Sequence, residues 1–266
     1  MKDKINVLGN QEEQKQIKRL LKQAKEDKFI DAVVKGVAEE KKTPEFKISS
    51  KFADDEYWRV SGVHYRDGVY TVDLLKRLLE SGQRAVQSMW ADHAKGAIKE
   101  GEFYTADLPL YYSLFRALYD QRDKPESEEA RKFIEAQMTD RFLMTLTSIM
   151  YNPPEVKPDE IKHAMSYDSD DNIKGANGNI LDPRTEAGVA LHALLRTTHI
   201  KRINDVYHWI CKKDVRIERA SFVPASIKRI VLFGASFEKV ILACSGNATP
   251  EDTCPALGVR IAGEEK

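Results

Sequence analysis

The chain has 266 residues, with 42 Lys or Arg against 42 Asp or Glu and a hydrophobic fraction of 42%. This length and composition indicate a globular protein with an ordinary core, and they exclude a chain that is disordered throughout. The zero net charge argues against nucleic-acid binding over the whole surface. No apolar run of about 18 residues occurs, so we expect no membrane span. The first six residues open no apolar stretch, so we also expect no secretion signal and a cytoplasmic protein with reduced thiols.

The first predicted element is a charged amphipathic helix over residues 10–42, so residues 1–42 are predicted to form a unit of their own. Apolar residues recur in it near a period of 3.6, and Lys and Glu fill the other faces. Pro44 ends the helix, because the residue before a proline is pushed away from helical angles. Docking on the rest of the chain and pairing with a partner both stay open.

Residues 43–155 are predicted to form a mainly helical region. Short strand-like segments at 57–60 and 63–65 come first, and residues 66–68 are predicted to form a turn after them. Thr71 is a typical N-cap and Gly101 a typical helix stop, which predicts one long helix between them. Further apolar spacing and caps predict one helix from residue 107 and another over 127–151.

Residues 156–266 are predicted to contain helices followed by an antiparallel sheet of about four strands. The predicted helices lie near 158–166, over 183–195 and from 204, and the predicted strands at 215–222, 227–233, 237–244 and 257–262. The predicted fold class is therefore α+β, with a mostly helical N-terminal body and a small C-terminal antiparallel sheet. We expect this region to share one core with residues 43–155, because the break between them is short.

Two histidines are the candidates for a catalytic site. His192 and His199 are seven residues apart and share a face if one helix covers both. Two imidazole groups on one face of a helix could act in acid–base catalysis or bind a metal ion. Zinc signatures use closer spacings and add Cys or Glu ligands, which are missing here. The alternative is a pair of half-buried, hydrogen-bonded histidines.

An acidic loop over residues 167–182 is the candidate metal site. Asp168, Asp170 and Asn172 have the first three offsets of a calcium-binding loop. Ile173 and Asn179 stand where that loop needs glycine and glutamate, so the full pattern fails. A looser cation site and a plain surface connector remain as alternatives, and no motif predicts a cofactor.

Residues 196–239 form a locally basic stretch, with ten Lys or Arg against four Asp or Glu. The candidates for anion or nucleic-acid binding are Arg196, Lys201, Arg202, Lys212 and Lys213. Trp209 lies among them and could stack on a base, although it also has the spacing of a core residue. A solvated charged face is the alternative.

Three classes of function stay open, because no nucleophile, nucleotide or metal motif is complete. The favoured class is an intracellular protein-binding or scaffold module without catalytic chemistry, using the first helix or the outer face of the sheet. The second is an enzyme with a scattered site near His192 and His199. The third is a weakly nucleic-acid-associated protein using residues 196–239. The chain also leaves open whether Cys244 and Cys254 pair.

Overall fold

The structure is a computed structural model. It describes residues 52–139, 141–153, 159–163, 172–173, 192–197, 199–213, 215–219, 225–235, 240–244 and 248–265. Contacts divide the chain into Met1–Thr43 and Pro44–Lys266, and the description below concerns the second unit. The helix predicted over 10–42 lies outside the described residues. Within them, no helix is long and apolar enough to cross a membrane.

The described helices and strands follow one another from residue 54 to residue 264. In chain order they are a 3₁₀ turn at Asp54–Glu56, β1 (Tyr57–Tyr65), β2 (Gly68–Leu78), a 3₁₀ turn at Leu79–Gly82, α1 (Gln87–Glu100), α2 (Leu108–Asp120), α3 (Pro125–Thr139), β3 (Leu143–Tyr151), β4 (Asp159–His163), β5 (Asn172–Ile173), α4 (Ile200–Cys211), β6 (Val215–Arg219), β7 (Ile227–Ala235), β8 (Val240–Cys244) and β9 (Leu257–Glu264). Residues 192–195 are also helical.

The strands form two sheets. The smaller sheet is antiparallel and has the order β1-β2-β9. The larger has the order β5-β4-β3-β7-β8-β6, and it is antiparallel except that β6 runs parallel to β8. The fold is α+β, but the prediction of a helical N-terminal body with one C-terminal sheet is wrong. Strands begin at Tyr57, and the last strand of the chain pairs with β2 instead of joining its neighbours in sequence.

The largest error of the sequence prediction is the long helix from Thr71. The chain is strand β2 up to Leu78, and a helix begins at Gln87. Four consecutive residues, Val72–Leu75, are buried, because β2 lies between two strands and is covered on both faces. A strand covered on both faces loses its alternation, and its leucines then imitate helical spacing.

The same ambiguity explains the end of the helix predicted over 127–151, whereas the helix predicted near 158–166 is wrong because Asp159–His163 form strand β4. Helix α3 ends at Thr139, and β3 follows as a strand whose first seven residues are all buried. β3 lies between β4 and β7, and its polar residues Thr145, Thr147 and Ser148 are buried with the apolar ones, so no exposed face marks it as a strand. β4 alternates buried and less buried residues, which is the usual strand pattern.

Several local predictions are confirmed. Asp107 caps α2, since its carboxylate accepts a hydrogen bond from the Leu110 N–H at 2.9 Å. Gly101 ends α1 with a φ of 70°, which glycine adopts at little cost. The interior strand predicted at 227–233 is β7, and it pairs antiparallel with β8.

An aromatic cluster joins α2 to both neighbouring layers. Tyr111 and Phe115 of α2 lie 5.1 and 6.0 Å from the ring of Phe233 on β7. Phe115 also meets Tyr207 of α4 edge to face at 6.2 Å. α2 is buried on nearly every side, so it is the central helix of the core.

Candidate functional site

A cleft of about 500 Å³ opens between β1, the end of α2 and the start of α3. Its apolar wall is made by Trp58, Val60 and Leu118. Its rim carries both signs of charge, from Asp54, Glu126 and Glu129 and from Arg59, Lys76 and Lys124. Charged and polar side chains outnumber apolar ones in this lining, so the cleft is a polar groove and differs from the mainly apolar pockets that are typical of small-molecule sites.

The cleft follows the open edge of the smaller sheet. β1 and β9 are the two outer strands of that sheet. The outer side of β9 is covered, because the Tyr104 N–H donates to the Val259 carbonyl at 2.8 Å and the Val259 N–H donates back at 2.9 Å. On β1, by contrast, we find one bond from the cleft side among the described residues, in which Gln121 Nε2 donates to the Ser61 carbonyl at 2.8 Å. Among the described residues the outer side of β1 therefore has fewer hydrogen bonds than that of β9, while α2 packs along part of β1.

The apolar wall is held in place by packing. Trp58 is buried, and its ring lies 5.5 Å from that of Phe133 on α3. Its Nε1 lies 3.5 Å from Glu129 Oε2, a long hydrogen bond. Lys76 Nζ lies 5.3 Å from the centre of the Trp58 ring, within the range of a cation–π contact. The wall of the cleft is thus formed before any ligand arrives.

A ladder of three charges crosses the smaller sheet beside the cleft. Arg59 lies opposite Asp73, and Asp73 lies opposite Arg260. Asp73 is fully buried, and Arg59 donates from Nε to its Oδ1 at 2.8 Å and from Nη2 to its Oδ2 at 3.1 Å. Arg260 Nη2 donates to the same Oδ2 at 2.7 Å. Two guanidinium groups share this carboxylate, and Asp54, which accepts a hydrogen bond from the Tyr57 hydroxyl, is a further negative charge near Arg59.

Arg59 presents its guanidinium group to the cleft. Its side chain is 55% exposed, and its Nη1 has no partner among the described residues. The hydrogen bond to Asp73 raises the pKa of Arg59, so the guanidinium stays charged at every ordinary pH. Arg59 Nη2 also donates to the Tyr57 hydroxyl at 3.3 Å. The group is therefore a fixed cation with two free N–H donors.

A second polar cluster, around His163, is internal. His163 Nε2 donates to the Ala193 carbonyl at 2.9 Å, because a carbonyl can only accept. His163 Nδ1 lies 2.9 Å from the Thr147 hydroxyl, which also accepts a hydrogen bond from the Leu108 N–H at 2.9 Å. These bonds tie β3, β4 and residues 192–195 together. With 2% of its surface exposed, His163 has the surroundings of a structural residue.

The sequence-predicted catalytic histidines lie on two separate helical segments. His192 is exposed, and its helical segment ends at Arg196, whose φ is 58°. His199 is exposed too, and it is the N-cap of α4. The single helix that would place both on one face is therefore interrupted. A catalytic role for either residue stays a prediction.

The predicted metal site falls mostly outside the described residues, which include neither Asp168 nor Asp170. Asn172 is described by its backbone alone, paired with Glu160 of β4. Within the described part of the chain, no group of three or more His, Cys, Asp or Glu side chains could hold a metal ion. The metal hypothesis stays a prediction.

The predicted basic residues are spread around α4. Arg196, Lys201 and Lys212 are exposed, and Lys213 is half-buried. Arg202 forms an ion pair with Asp120, and its guanidinium lies 4.7 Å from the centre of the Tyr119 ring. Trp209 is half-buried and meets Tyr119 at 5.9 Å. Anion or nucleic-acid binding by these residues stays a prediction.

Comparisons of the chain with protein-family models, with curated proteins and with solved structures found no match. The candidate site is therefore identified from the geometry of the structure alone. Its principal residues, Arg59, Asp73 and Arg260, were missed by the sequence analysis. Asp73 carried a usable signal, because an aspartate inside the apolar run 72–75 must find a cation if that run is buried.

Proposed function

We propose that this protein binds an extended segment of another protein, which adds to β1 as a further strand along the cleft. The observation that carries the proposal is the open edge of β1 beside a preformed cleft of about 500 Å³. In strand addition, backbone hydrogen bonds supply affinity and pockets for alternate side chains supply specificity. The outer side of β1 supplies backbone groups and the cleft supplies room for side chains, which supports the proposal.

The two faces of β1 give the added strand two environments. Trp58 and Val60 point to the side of the sheet that α2 and α3 cover, whereas Arg59 points to the other side. Successive side chains of an added strand point to opposite faces as well. One set of its side chains therefore meets the apolar wall, and the other set meets the charge ladder.

Protein binding is also the class that the sequence favours, although the surface differs from the one predicted there. The sequence pointed to the first helix or to the outer face of a sheet. The supporting geometry lies at the edge of β1 instead. An amphipathic helix in the same cleft is a weaker fit, because a helix satisfies its own backbone and leaves the groups of β1 without partners.

The test begins with a displayed library of heptapeptides selected against the full chain. Each enriched peptide is then synthesised with a single N-methyl group at every position in turn. Strand addition uses the backbone N–H of alternate residues, so we expect affinity to fall at every second position. Losses at intervals of three or four residues would indicate a bound helix, and a dissociation constant above about 1 mM for every selected peptide would contradict the proposal.

A matched pair of variants locates the binding site. Ser61 is exposed and lines the cleft, so Ser61→Trp should fill the cleft without disturbing the core. Ser88 is exposed on α1 and lies outside the cleft lining, so Ser88→Trp is the control. We expect the first variant to lose peptide binding and the second to keep it. Equal affinities for both variants would place the binding elsewhere.

A further inference from the structure

We infer that the bound segment carries an aspartate or glutamate opposite Arg59, flanked by apolar residues. This inference rests on the proposed addition of a strand to β1. It names the chemistry that would distinguish a true partner from any extended peptide.

The charge ladder gives the reason for the acidic residue. Across the sheet the charges read positive at Arg59, negative at Asp73 and positive at Arg260, in consecutive cross-strand positions. At β9 the series meets the covered edge, where Phe103 lies 4.6 Å under the Arg260 guanidinium. At β1 it ends on an exposed cation. A strand added there continues the alternation if it places a carboxylate opposite Arg59, and opposite charges in such a pair stabilise a sheet.

The hydrogen bonds that already hold the Arg59 guanidinium strengthen the preference for an acidic residue in the bound segment. Its Nε and Nη2 are held by Asp73, while Nη1 keeps its donors free among the described residues. A guanidinium that is already ordered loses little further conformational entropy when it binds a carboxylate. A lysine or arginine at the same place in the partner would face a fixed like charge, which destabilises the pair.

The flanking positions follow from the strand period. The neighbours of the acidic residue point to the opposite face, where Trp58 and Val60 form the apolar wall. Apolar side chains bury surface against that wall. The sequence of the occupant is therefore apolar, acidic, apolar around the contact with Arg59.

The test uses the selected heptapeptides with each position replaced by Asp, Asn or Lys. Affinities are measured for the unaltered protein and for Arg59→Gln. We expect one position at which Asp binds about tenfold more tightly than Asn, as for a charge-assisted hydrogen bond, and at which Lys is worst. In Arg59→Gln the ratio of Asp to Asn affinity should fall to about one at that position.

Two further variants serve as a charge-conserving comparison and as a distant control. Arg59→Lys keeps the charge and should retain part of the acidic preference, and exposed Lys99→Glu, on α1, should leave it unchanged. Asp73 keeps its bonds to Arg260 in both Arg59 variants, and thermal unfolding checks that they fold. A period of two in the N-methyl scan with no acidic preference would overturn this inference and leave strand addition standing. No binding at β1 would overturn both.

Discussion

Arg59 of β1 donates to both carboxylate oxygens of Asp73 of β2, at 2.8 and 3.1 Å, and Asp73 has no exposed surface. Arg260 of β9 binds the same carboxylate, so all three strands of the smaller sheet meet at one charge. Removing a partner from a buried ion pair leaves the rest without compensation, which costs more than the pair itself contributes. The ladder therefore has a role in stability as well as at the cleft.

Replacing Asp73 tests that role. We expect Asp73→Ala to lower the free energy of unfolding by about 3 kcal/mol, a figure that allows for the partial exposure of both guanidinium groups. Urea denaturation measures it. Asp92 on α1 is 76% exposed, and Asp92→Ala should cost less than about 0.5 kcal/mol. Equal losses for the two variants would show that the ladder contributes nothing to the fold.

The cap of α2 gives a second prediction. Asp107 accepts from the Leu110 N–H at 2.9 Å through Oδ1 and from the Tyr65 hydroxyl at 2.7 Å through Oδ2. Asp107→Ala removes both bonds in a buried place, and we expect a loss of about 2 to 3 kcal/mol. Tyr65→Phe removes one bond and should cost about 1 kcal/mol. If Tyr65→Phe destabilised as much as Asp107→Ala, the cap would not be the source of the effect.

The thiols give a prediction about reactivity. Cys211 and Cys254 are free and buried, and burial raises the pKa of Cys211 to about 12 and that of Cys254 to about 11. At pH 8 the thiolate fraction is small, so alkylation of the folded protein should be roughly a hundredfold slower than that of an exposed thiol. Peptide mapping by mass spectrometry reads each site separately. Labelling of the folded protein at the rate seen in denaturant would contradict the burial of these residues.

His93 gives a prediction about pH. Burial lowers the pKa of His93 below its ordinary value, so the unfolded chain takes up the proton first as the pH falls. The stability that the neutral ring contributes is complete above the ordinary value of about 6.5 and is lost as the pH falls below it. We expect the free energy of unfolding to drop more between pH 7.5 and 5.5 in the unaltered protein than in His93→Gln.

The stability contributed by Glu80, a neighbour of His93, depends on pH in the opposite direction. Glu80 Oε1 lies 3.7 Å from His93 Nε2, and burial raises the pKa of Glu80, so its contribution is present at low pH and is lost as the pH rises. Glu80→Gln is therefore measured in the same way, to separate the two groups. A larger drop in His93→Gln than in the unaltered protein would show that this histidine is not the group responsible.

The sequence predicted elements well where local signals decide the structure. The cap at Asp107, the stop at Gly101 and the apolar run of β7 all act within a few residues, and all three are confirmed. It failed at β2 and β3, because both strands have partners on both sides and long buried runs, in which the polar residues Asp73, Thr145 and Thr147 are buried with the apolar ones. Only the pairing of distant strands distinguishes such a run from a buried helix.

The candidate site could not be predicted from the sequence for a similar reason. Asp73 is 14 residues from Arg59 and 187 from Arg260, and no local pattern gives the register that brings these three together. The cleft likewise joins residues near 58 to residues near 121. The sequence could indicate that Asp73 needs a cation, but it could not say which one, nor that β1 would lie at an open edge.

The measurement that tests strand addition most directly is hydrogen exchange of individual backbone amides, with and without a selected peptide. We expect alternate amides of β1 to gain protection when the peptide binds, while those of β9, whose outer side Tyr104 already covers, do not change. Ser61→Trp should show no gain under the same conditions. Protection that appears on β9 or α4 while β1 stays unchanged would contradict the central claim.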